Sequence, residues 1–554
     1  MKKVLKNLLL LVLFLTLVLS GCGQKEEPQT EEPKEDAAVT EEKKEETDAT
    51  EDKEEKPAEE EADKAETGTE EPVEITIAFW NVQEALSGGE NDALLQEFQK
   101  RTGVKLVPQD MSSTDYHEKV QLWATNGQLP DIFVGDFVGL GQSSFFDWVE
   151  QGIIRALPDD LSPYPNLEKY MEMERAKEAM QNGKHYIIPR QSYGDITYSV
   201  LDRNIAYRWD LAQEAGVTEE PKNWDEFRDM LRKIIAADPE GKSIGGMCQS
   251  GVKSLAGIMY PYGGILEKKW IINDEGVAMP SVFDGDIKAV MKLAQDMYRE
   301  GTIIKDLPNL FGASANEAFL QGKVAALGFN NGPASLFVMG RDYEELYPDR
   351  KFLDDVKIAP IFPGADGQNW YFVDTEAWSE TYFNSNLSDE KMDAILKMFD
   401  YLVTDEGKIL MFCGLEGEDY DVVDGKIVKK EGLVLSEKYP FALMENLAVH
   451  NPERWREDFP STAPDEYRAL NKARHEDAVN NGVLPKITDA TMLISTPLKD
   501  QFYYNPHDDF YAIMMGTEDS DKMVDDLLAE YKSKGLDEMI EEVNKAAKER
   551  GILD

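Results

Sequence analysis

The chain has 554 residues, a formal net charge of -48 and only three cysteines. Residues 25–71 hold 22 acidic and 7 basic side chains, so about -15 of the charge lies there and about -36 falls on the residues from 72 onward. This excess of acid argues against a nucleic-acid-binding protein and against docking on anionic lipid. The length suits one large two-lobed protein as well as several small domains.

The N-terminal sequence predicts export. Three lysines precede an apolar run over residues 8–19, which is the pattern of a secretory signal peptide. The run is shorter than the roughly 20 apolar residues of a membrane-spanning helix. The next feature, LSGC at residues 19–22, resembles the lipobox of bacterial lipoproteins. This resemblance implies removal of residues 1–21, lipidation of Cys22 and a lipid anchor at the outer face of the cytoplasmic membrane; a plain signal peptide with an incidental cysteine is the alternative.

Residues 22–72 predict an acidic tether that follows the lipidated cysteine. Glu, Lys, Thr, Ala and Pro dominate the segment, and it contains almost no apolar side chains. Such a segment cannot bury enough surface to offset the entropy lost on ordering. Its like charges also favour an extended chain. We therefore expect a disordered tether that holds the folded part away from the membrane.

The first elements after the tether predict a βαβ unit. Residues 73–80 alternate apolar and polar side chains and then become apolar, as a strand entering a core does. Asn91 or Asp92 can cap the following helix, Gly103 ends it, and residues 104–107 form the second strand. A βαβ unit predicts a parallel sheet.

A third strand is predicted over residues 129–135, and Asp136 and Phe137 follow it directly. In open α/β sheets, ligands bind beyond the carboxyl ends of the strands. Asp136 and Phe137 therefore lie where a ligand site is expected.

Strands and helices continue to alternate along the rest of the chain. Glycine-centred hairpins are predicted at residues 271–278 and 422–428. Ser388 begins a strongly amphipathic helix, and residues 521–548 predict two helices separated at Gly535. The predicted fold class is α/β.

The sequence shows no catalytic or metal-binding motif. The five histidines do not form an H-E-x-x-H frame, and G-x-S-x-G, Walker A and G-x-G-x-x-G patterns are absent. Cys248 and Cys413 could pair in an oxidising compartment, but two small buried thiols are the favoured interpretation. A binding protein without metal or other cofactor is therefore favoured over an enzyme.

Six short segments occur in a characteristic order: NGQLPDIF at 126–133, WVEQGIIRALP at 148–158, GKHYIIP at 183–189, PKNWDEF at 221–227, FLQGKVAA at 319–326 and TDEG at 404–407. Together with the lipobox, they resemble the family 1 extracellular solute-binding proteins of bacterial ABC importers, especially the lipoproteins that serve oligosaccharide uptake in Gram-positive bacteria. The resemblance covers roughly residues 73–550. One departure is DPEGKSIGG at 238–246, which lacks oxygen ligands of the calcium loop that many large members carry, so no calcium site is expected there.

The resemblance implies a periplasmic-binding-protein-like fold of two α/β lobes that close on a ligand at a hinge. It places lobe one at residues 73–195 with 371–412, and lobe two at 196–370 with 413–554. The implied partners are an oligosaccharide and the transmembrane subunits of an ABC permease, and the implied state is a monomer.

Sugar rings require flat aromatic platforms and a few convergent hydrogen-bonding groups. Candidate residues lie where predicted strands end at the cleft or near the crossings between the lobes: Trp80, Asn81, Asp136, Phe137, Tyr193, Asn330, Asn331, Trp370 and Trp378. Core packing is the alternative for the tryptophans, and a simple strand-end turn is the alternative for Asp136, Asn330 and Asn331.

The sequence thus predicts a lipid-anchored receptor that captures an oligosaccharide for import. Two alternatives stay open at this point. One is a cell-surface enzyme that acts on glycosides with a carboxylate pair. The other is the same fold binding a different solute, such as a peptide.

Overall fold

The chain alternates between strands and helices, as predicted. The computed structural model describes residues 71–109, 116–138, 143–238, 245–249, 255–266, 269–284, 286–307, 309–310, 312–328, 332–374, 376–430, 432–447 and 459–553. Within these ranges the strands are β1 Val73–Ala78, β2 Val104–Pro108, β3 Ile132–Gly135, β4 Ile187–Gln191, β5 Ile205–Arg208, β6 Gly245–Gln249, β7 Trp270–Ile272, β8 Ala278–Pro280, β9 Val324–Gly328, β10 Val356–Ile358, β11 Ala377–Phe383, β12 Tyr420–Val423 and β13 Lys426–Lys429.

The α-helices of the same ranges are more numerous, and 3-10 helices occupy Gly89–Asn91, Ile196–Leu201, Ser281–Phe283 and Pro440–Asn446. The α-helices are α1 Val82–Ala85, α2 Ala93–Thr102, α3 Tyr116–Asn126, α4 Ser143–Glu150, α5 Pro165–Tyr170, α6 Glu174–Glu178, α7 Trp209–Glu214, α8 Trp224–Ala236, α9 Ala256–Gly263, α10 Ile287–Glu300, α11 Ala313–Leu320, α12 Pro333–Leu346, α13 Phe352–Asp355, α14 Asp389–Leu402, α15 Asp405–Cys413, α16 Leu435–Lys438, α17 Asp465–Asn481, α18 Asp489–Met492, α19 Pro497–Gln501, α20 Pro506–Met515, α21 Ser520–Ser533 and α22 Leu536–Glu549.

The first sheet has the strand order β2-β1-β3-β11-β4. β1 runs parallel to β2 and β3, whereas β11 runs antiparallel to both β3 and β4. The predicted βαβ unit is confirmed, and Asp92 rather than Asn91 caps α2 by accepting the N–H groups of Leu94 and Leu95 at 3.0 Å each. The carboxyl ends of β1, β3 and β4 therefore meet at one edge of this sheet.

The second sheet has the order β10-β5-β9-β6. β6 and β9 are parallel, and β5 is antiparallel to both β9 and β10. The two predicted hairpins are confirmed as the pairs β7–β8 and β12–β13. The Ser388 side chain caps α14 as predicted. Gly535, with φ +100°, separates α21 from α22, and this left-handed conformation favours glycine.

Each large sheet is covered by its own hydrophobic core. Cys413 is buried in the core of the first sheet, and Cys248 is buried in the core of the second. Their placement in separate cores favours two buried thiols over a disulfide. Burial raises the pKa of the Cys248 thiol to about 12, which keeps it protonated near neutral pH.

The chain passes between the two cores several times. It leaves the first sheet after β4, runs through the 3-10 helix Ile196–Leu201 into β5, and returns between β10 and β11. Leu447 then packs in the first core, and Tyr467 packs in the second. Two α/β lobes with repeated crossings constitute the two-lobed, periplasmic-binding-protein-like fold.

Candidate functional site

The carboxyl edge of the first sheet carries Trp80 and Asp136. Trp80 is half-buried, and its ring meets Tyr116 edge-on with the centroids 5.9 Å apart. The Tyr116 hydroxyl forms hydrogen bonds with the carbonyl oxygens of Ala78, at 3.1 Å, and of Val134. Because these oxygens belong to β1 and β3, the tyrosine holds together the two strand ends from which Trp80 and Asp136 project.

The residues beside Trp80 and Asp136 differ in their access to solvent. Asn81 is exposed at the start of α1. The Asp136 carboxylate forms a hydrogen bond with Nε2 of His117, a partly exposed pair. Phe137 is fully buried and packs edge-on against Trp148, with the centroids 4.8 Å apart. Phe137 is thus a core residue in this conformation, and its predicted ligand contact stays a prediction.

Arg190, at the end of β4, lies beside Trp80 on the same edge. The guanidinium carbon of Arg190 is 5.9 Å from the Trp80 ring centroid, and the Nε of this fully buried arginine donates to Ser379 Oγ at 2.7 Å. A cation against a tryptophan face is an attractive arrangement. The contact fixes the arginine and supports the ring from one side.

A buried acid lies in the same part of the first sheet. Glu380 is fully buried in β11, 3.5 Å from the Nη2 of the equally buried Arg175, and it accepts a hydrogen bond from the Tyr382 hydroxyl at 2.9 Å. Burial raises the pKa of Glu380 to about 7, and the positive charge of Arg175 opposes this rise. The cluster forms part of the support for the edge that carries Trp80 and Asp136.

Tyr193 lies in the connection between the two sheets and is also buried. Its hydroxyl forms a hydrogen bond with Asp202. Burial, and then the negative charge of Asp202, raise the pKa of Tyr193 well above its ordinary value. Gly332 sits against the same carboxylate, because a Cβ built there would lie 2.5 Å from Asp202 Oδ1. Tyr193 thus joins the connection to the start of α12 through Asp202.

The remaining predicted site residues lie elsewhere. Trp370 is half-buried, donates from Nε1 to Asp366 Oδ2 at 3.1 Å and packs closely on Gly264. Trp378 belongs to β11, where its side chain is not described. Asn330 and Asn331 lie outside the described residues.

A cavity of about 650 Å³ lies between the two cores. One wall is formed by α15, residues 433–436 and the 3-10 helix Pro440–Asn446, which pack with the first core, and the opposite wall by α12, α17 and the 3-10 helix Ile196–Leu201. Four aromatic side chains line it: Tyr198, Phe337, Phe412 and Phe459. None of the predicted site residues with a described side chain lines this cavity.

The opposite wall of the cavity includes one face of α17. On α17, Asp465, Arg468, Lys472 and His475 line the cavity at intervals of three and four residues, which places them on one face. The His475 ring stacks flat on Tyr198, with centroids 4.0 Å apart and planes 1° apart. This stack joins α17 to the connection between the sheets.

The wall beside the first core is held by Asp92, the cap of α2. The other carboxylate oxygen of this buried residue accepts the N–H of Phe441 at 2.8 Å. That bond fixes the 3-10 helix whose Ala442 and Leu443 line the cavity. One side chain thus connects the first sheet's helices to the cavity wall.

Comparisons with known proteins place this architecture in a family. The sequence pattern of the bacterial extracellular solute-binding proteins matches residues 87–409, more than half of the chain. This chain belongs to that family. A curated relative, Lipoprotein LipO of Bacillus subtilis (strain 168), is 20% identical over 380 residues, which are 67% of this chain and 72% of the relative.

Solved structures share the fold of this family member. The alginate-binding protein AlgQ2, solved without calcium ion, is 18% identical with a TM-score of 0.67, over 87% of this chain and 99% of AlgQ2. The ABC-transporter substrate-binding protein FusA of S. pneumoniae, in complex with kestose, is 15% identical with a TM-score of 0.66, over 87% of this chain and 99% of FusA.

Two further observations concern membranes and metals. Of the helices in the described part of this solute-binding protein, none is long and apolar enough to cross a membrane. Within the same ranges, no group of three or more His, Cys, Asp or Glu side chains is placed to hold a metal ion. Residues 239–244 of the segment compared with the calcium loop lie outside those ranges.

Proposed function

We propose that this solute-binding protein captures an oligosaccharide in the cavity between its lobes and delivers it, unchanged, to an ABC importer. The observation that carries the proposal is the cavity itself. Its volume of about 650 Å³ falls in the range of roughly 300–1,000 Å³ typical of small-molecule sites. Aromatic rings and hydrogen-bonding side chains line it together, as the apolar faces and hydroxyl groups of a sugar require.

Saccharides are the first solutes to consider because of what the relatives bind. AlgQ2 is named as an alginate-binding protein, and FusA was solved in complex with kestose. Both ligands are saccharides, and both proteins have the fold of this chain. A two-lobed binding protein with an aromatic cavity therefore has a saccharide as its leading ligand class.

The mechanism is a shift of population toward the closed state. A solute that touches both walls favours closure by the free energy of the contacts that exist only when the lobes are together. The crossings between the sheets, including Ile196–Leu201, are the segments that absorb the hinge motion. The residues proposed to approach the ligand in that closed state are Trp80, Asn81, Asp136, Phe137, Tyr193, Asn330, Asn331, Trp370 and Trp378.

The lobe division and the anchor complete the proposal. Lobe one comprises residues 73–195 and 371–412, and lobe two comprises residues 196–370 and 413–554. The packing of Leu447 in the first core favours adding residues 413–447 to lobe one. Lipidated Cys22 and the acidic tether hold the lobes near the permease at the outer face of the cytoplasmic membrane.

A melting screen against neutral and acidic oligosaccharides tests the proposal, with the sugars analysed by mass afterwards. A ligand at 100 times its Kd stabilises the folded protein by about 2.7 kcal/mol, which raises the melting temperature measurably. A rise with the sugar intact is expected. Cleaved sugar would contradict the proposal in favour of a glycoside-acting enzyme, and a rise with peptides alone would contradict the saccharide assignment.

A further inference from the structure

A buried side-chain amide, that of Gln249, lies at the carboxyl edge of the second sheet. β6 and β9 are parallel and end side by side, with Gln249 paired in register to Gly328. The Gln249 side chain is 1% exposed, and neither its Oε1 nor its Nε2 forms a hydrogen bond with any residue that the structure describes. Buried polar groups of this kind are rare in folded proteins, because each one lowers the stability of the fold.

Two glycines leave room for this amide. A Cβ built on Gly257 would lie 2.6 Å from Gln249 Nε2, and a Cβ built on Gly328 would lie 3.1 Å from the same atom. Neither glycine has a positive φ, so it is the close approach of the amide that disfavours a side chain at these two positions. Gly257 belongs to the first turn of α9, whose backbone N–H groups have no acceptor within the helix. The amide is therefore enclosed by bare backbone at the end of a strand.

The edge that carries Gln249 is also the edge at which the chain crosses between the lobes. β5, antiparallel to β9, begins there, and β10, antiparallel to β5, ends there. The same two connections join the first sheet at the end of β4 and the start of β11, which are antiparallel neighbours. That is the edge of the first sheet from which Trp80 and Asp136 project. The carboxyl edges of the two sheets are thus the two ends of one pair of connections.

We propose that Gln249 is a ligand-binding residue of the second lobe and that its amide binds hydroxyl groups of the saccharide. The inference rests on the proposed function and adds a contact to it, since Gln249 is not among the described residues that line the cavity. An amide suits hydroxyl groups because Nε2 donates to a hydroxyl oxygen while Oε1 accepts from a second hydroxyl. The amide is covered in this conformation, so the contact forms when the lobes close. A contact made only in the closed state favours that state.

Replacement of Gln249 by methionine separates this role from a structural one. Methionine is similar in length and adaptable in shape, and it lacks the amide, so Gln249→Met removes a buried polar group that has no described partner. The variant is expected to raise the melting temperature of the ligand-free chain and to weaken saccharide binding at least tenfold. Thermal melting and titration calorimetry of the full chain measure the two effects. The probes are neutral and acidic oligosaccharides, among them kestose, maltotetraose and an alginate tetrasaccharide.

The matched control is Gln295→Met in α10. Gln295 is a buried glutamine of the same lobe, but its Nε2 donates to the carbonyl oxygen of Ile513 at 2.9 Å. Removal of this hydrogen-bonded amide is expected to lower the melting temperature and to leave saccharide binding within twofold of the unaltered chain.

Normal saccharide binding by Gln249→Met overturns the inference. A fall in its melting temperature, with any affinity, overturns it as well, because the amide would then have a partner inside the folded protein, such as a buried water. An equal loss of binding by Gln249→Met and Gln295→Met also overturns it, since this would reflect a general disturbance of the second lobe. In each of these cases the proposed function still stands, whereas no binding of any oligosaccharide by the unaltered chain overturns the proposed function itself.

Discussion

The two oxygens of the Asp92 carboxylate accept hydrogen bonds from two different elements. One oxygen caps α2, and the other accepts the N–H of Phe441 in the 3-10 helix that lines the cavity. The sequence predicted the cap, because Asp or Asn before an apolar helical run is a common start signal. It could not predict the bond to Phe441, since the two residues are 349 positions apart.

Replacing Asp92 with alanine is expected to destabilise the protein by about 2 kcal/mol. The change removes the helix cap and leaves the buried N–H of Phe441 without an acceptor. Urea unfolding measures the loss. Asp92→Asn keeps a capping oxygen and should cost clearly less, so equal losses for the two variants would contradict the account of the shared carboxylate.

Glu380 makes the stability of the first lobe depend on pH. Burial raises the pKa of Glu380 from its ordinary value of 4.5 to about 7, so in this interval the folded protein keeps a proton that the unfolded chain has lost. The contribution is fully present below pH 4.5 and is lost as the pH rises through 7. The change between these limits is about 3 kcal/mol.

The variant Glu380→Gln is expected to remove this fall in the free energy of unfolding between pH 4.5 and 7. Urea unfolding at several pH values measures it, and the exposed Glu549→Gln serves as control. A variant with the same pH dependence as the unaltered chain would show that the proton is held elsewhere.

At the scale of elements, the sequence predicted the helices, strands and turns that depend on residues close together in the chain. The βαβ unit, both glycine hairpins, the helix after Ser388 and the break at Gly535 are all present. The sequence analysis did not predict α17, which carries much of the cavity wall. Its apolar side chains do not form a strong stripe, and the available signal was polar and cationic residues at helical spacing after Pro464.

The start of α12 depends on close contact with the connection between the sheets. A Cβ at Gly332 would lie 2.5 Å from Asp202 Oδ1, and Asp202 in turn holds the Tyr193 hydroxyl. Gly332→Ala is therefore expected to destabilise the protein by about 1–3 kcal/mol, as overpacking does. Thermal or urea unfolding measures the loss.

A double-mutant cycle provides the control for this contact. Removing the carboxylate with Asp202→Ala relieves the clash, so the glycine replacement should cost much less in that background. Additive losses for the two changes would contradict a direct contact between position 332 and Asp202.

At the scale of the whole molecule, the two-lobed fold could be predicted but the cavity could not. The order of the six segments indicated the family and hence two lobes. The described lining residues come from segments far apart in the sequence, among them α12, α15, α17 and two 3-10 helices, and only folding brings these together. The predicted strand-end residues Trp80 and Asp136 do share one edge, but in this conformation that edge lies outside the cavity lining.

The central claim is that solute binds between the lobes, and a cavity-filling variant tests it most directly. Ala469 and Ala473 are both exposed on α17, but Ala469 lines the cavity and Ala473, one turn further, does not. Calorimetry would compare Ala469→Trp and Ala473→Trp for the saccharide that gives the largest rise in melting temperature. We expect Ala469→Trp to weaken binding at least tenfold and Ala473→Trp to leave it within twofold. Normal binding by Ala469→Trp would contradict the claim.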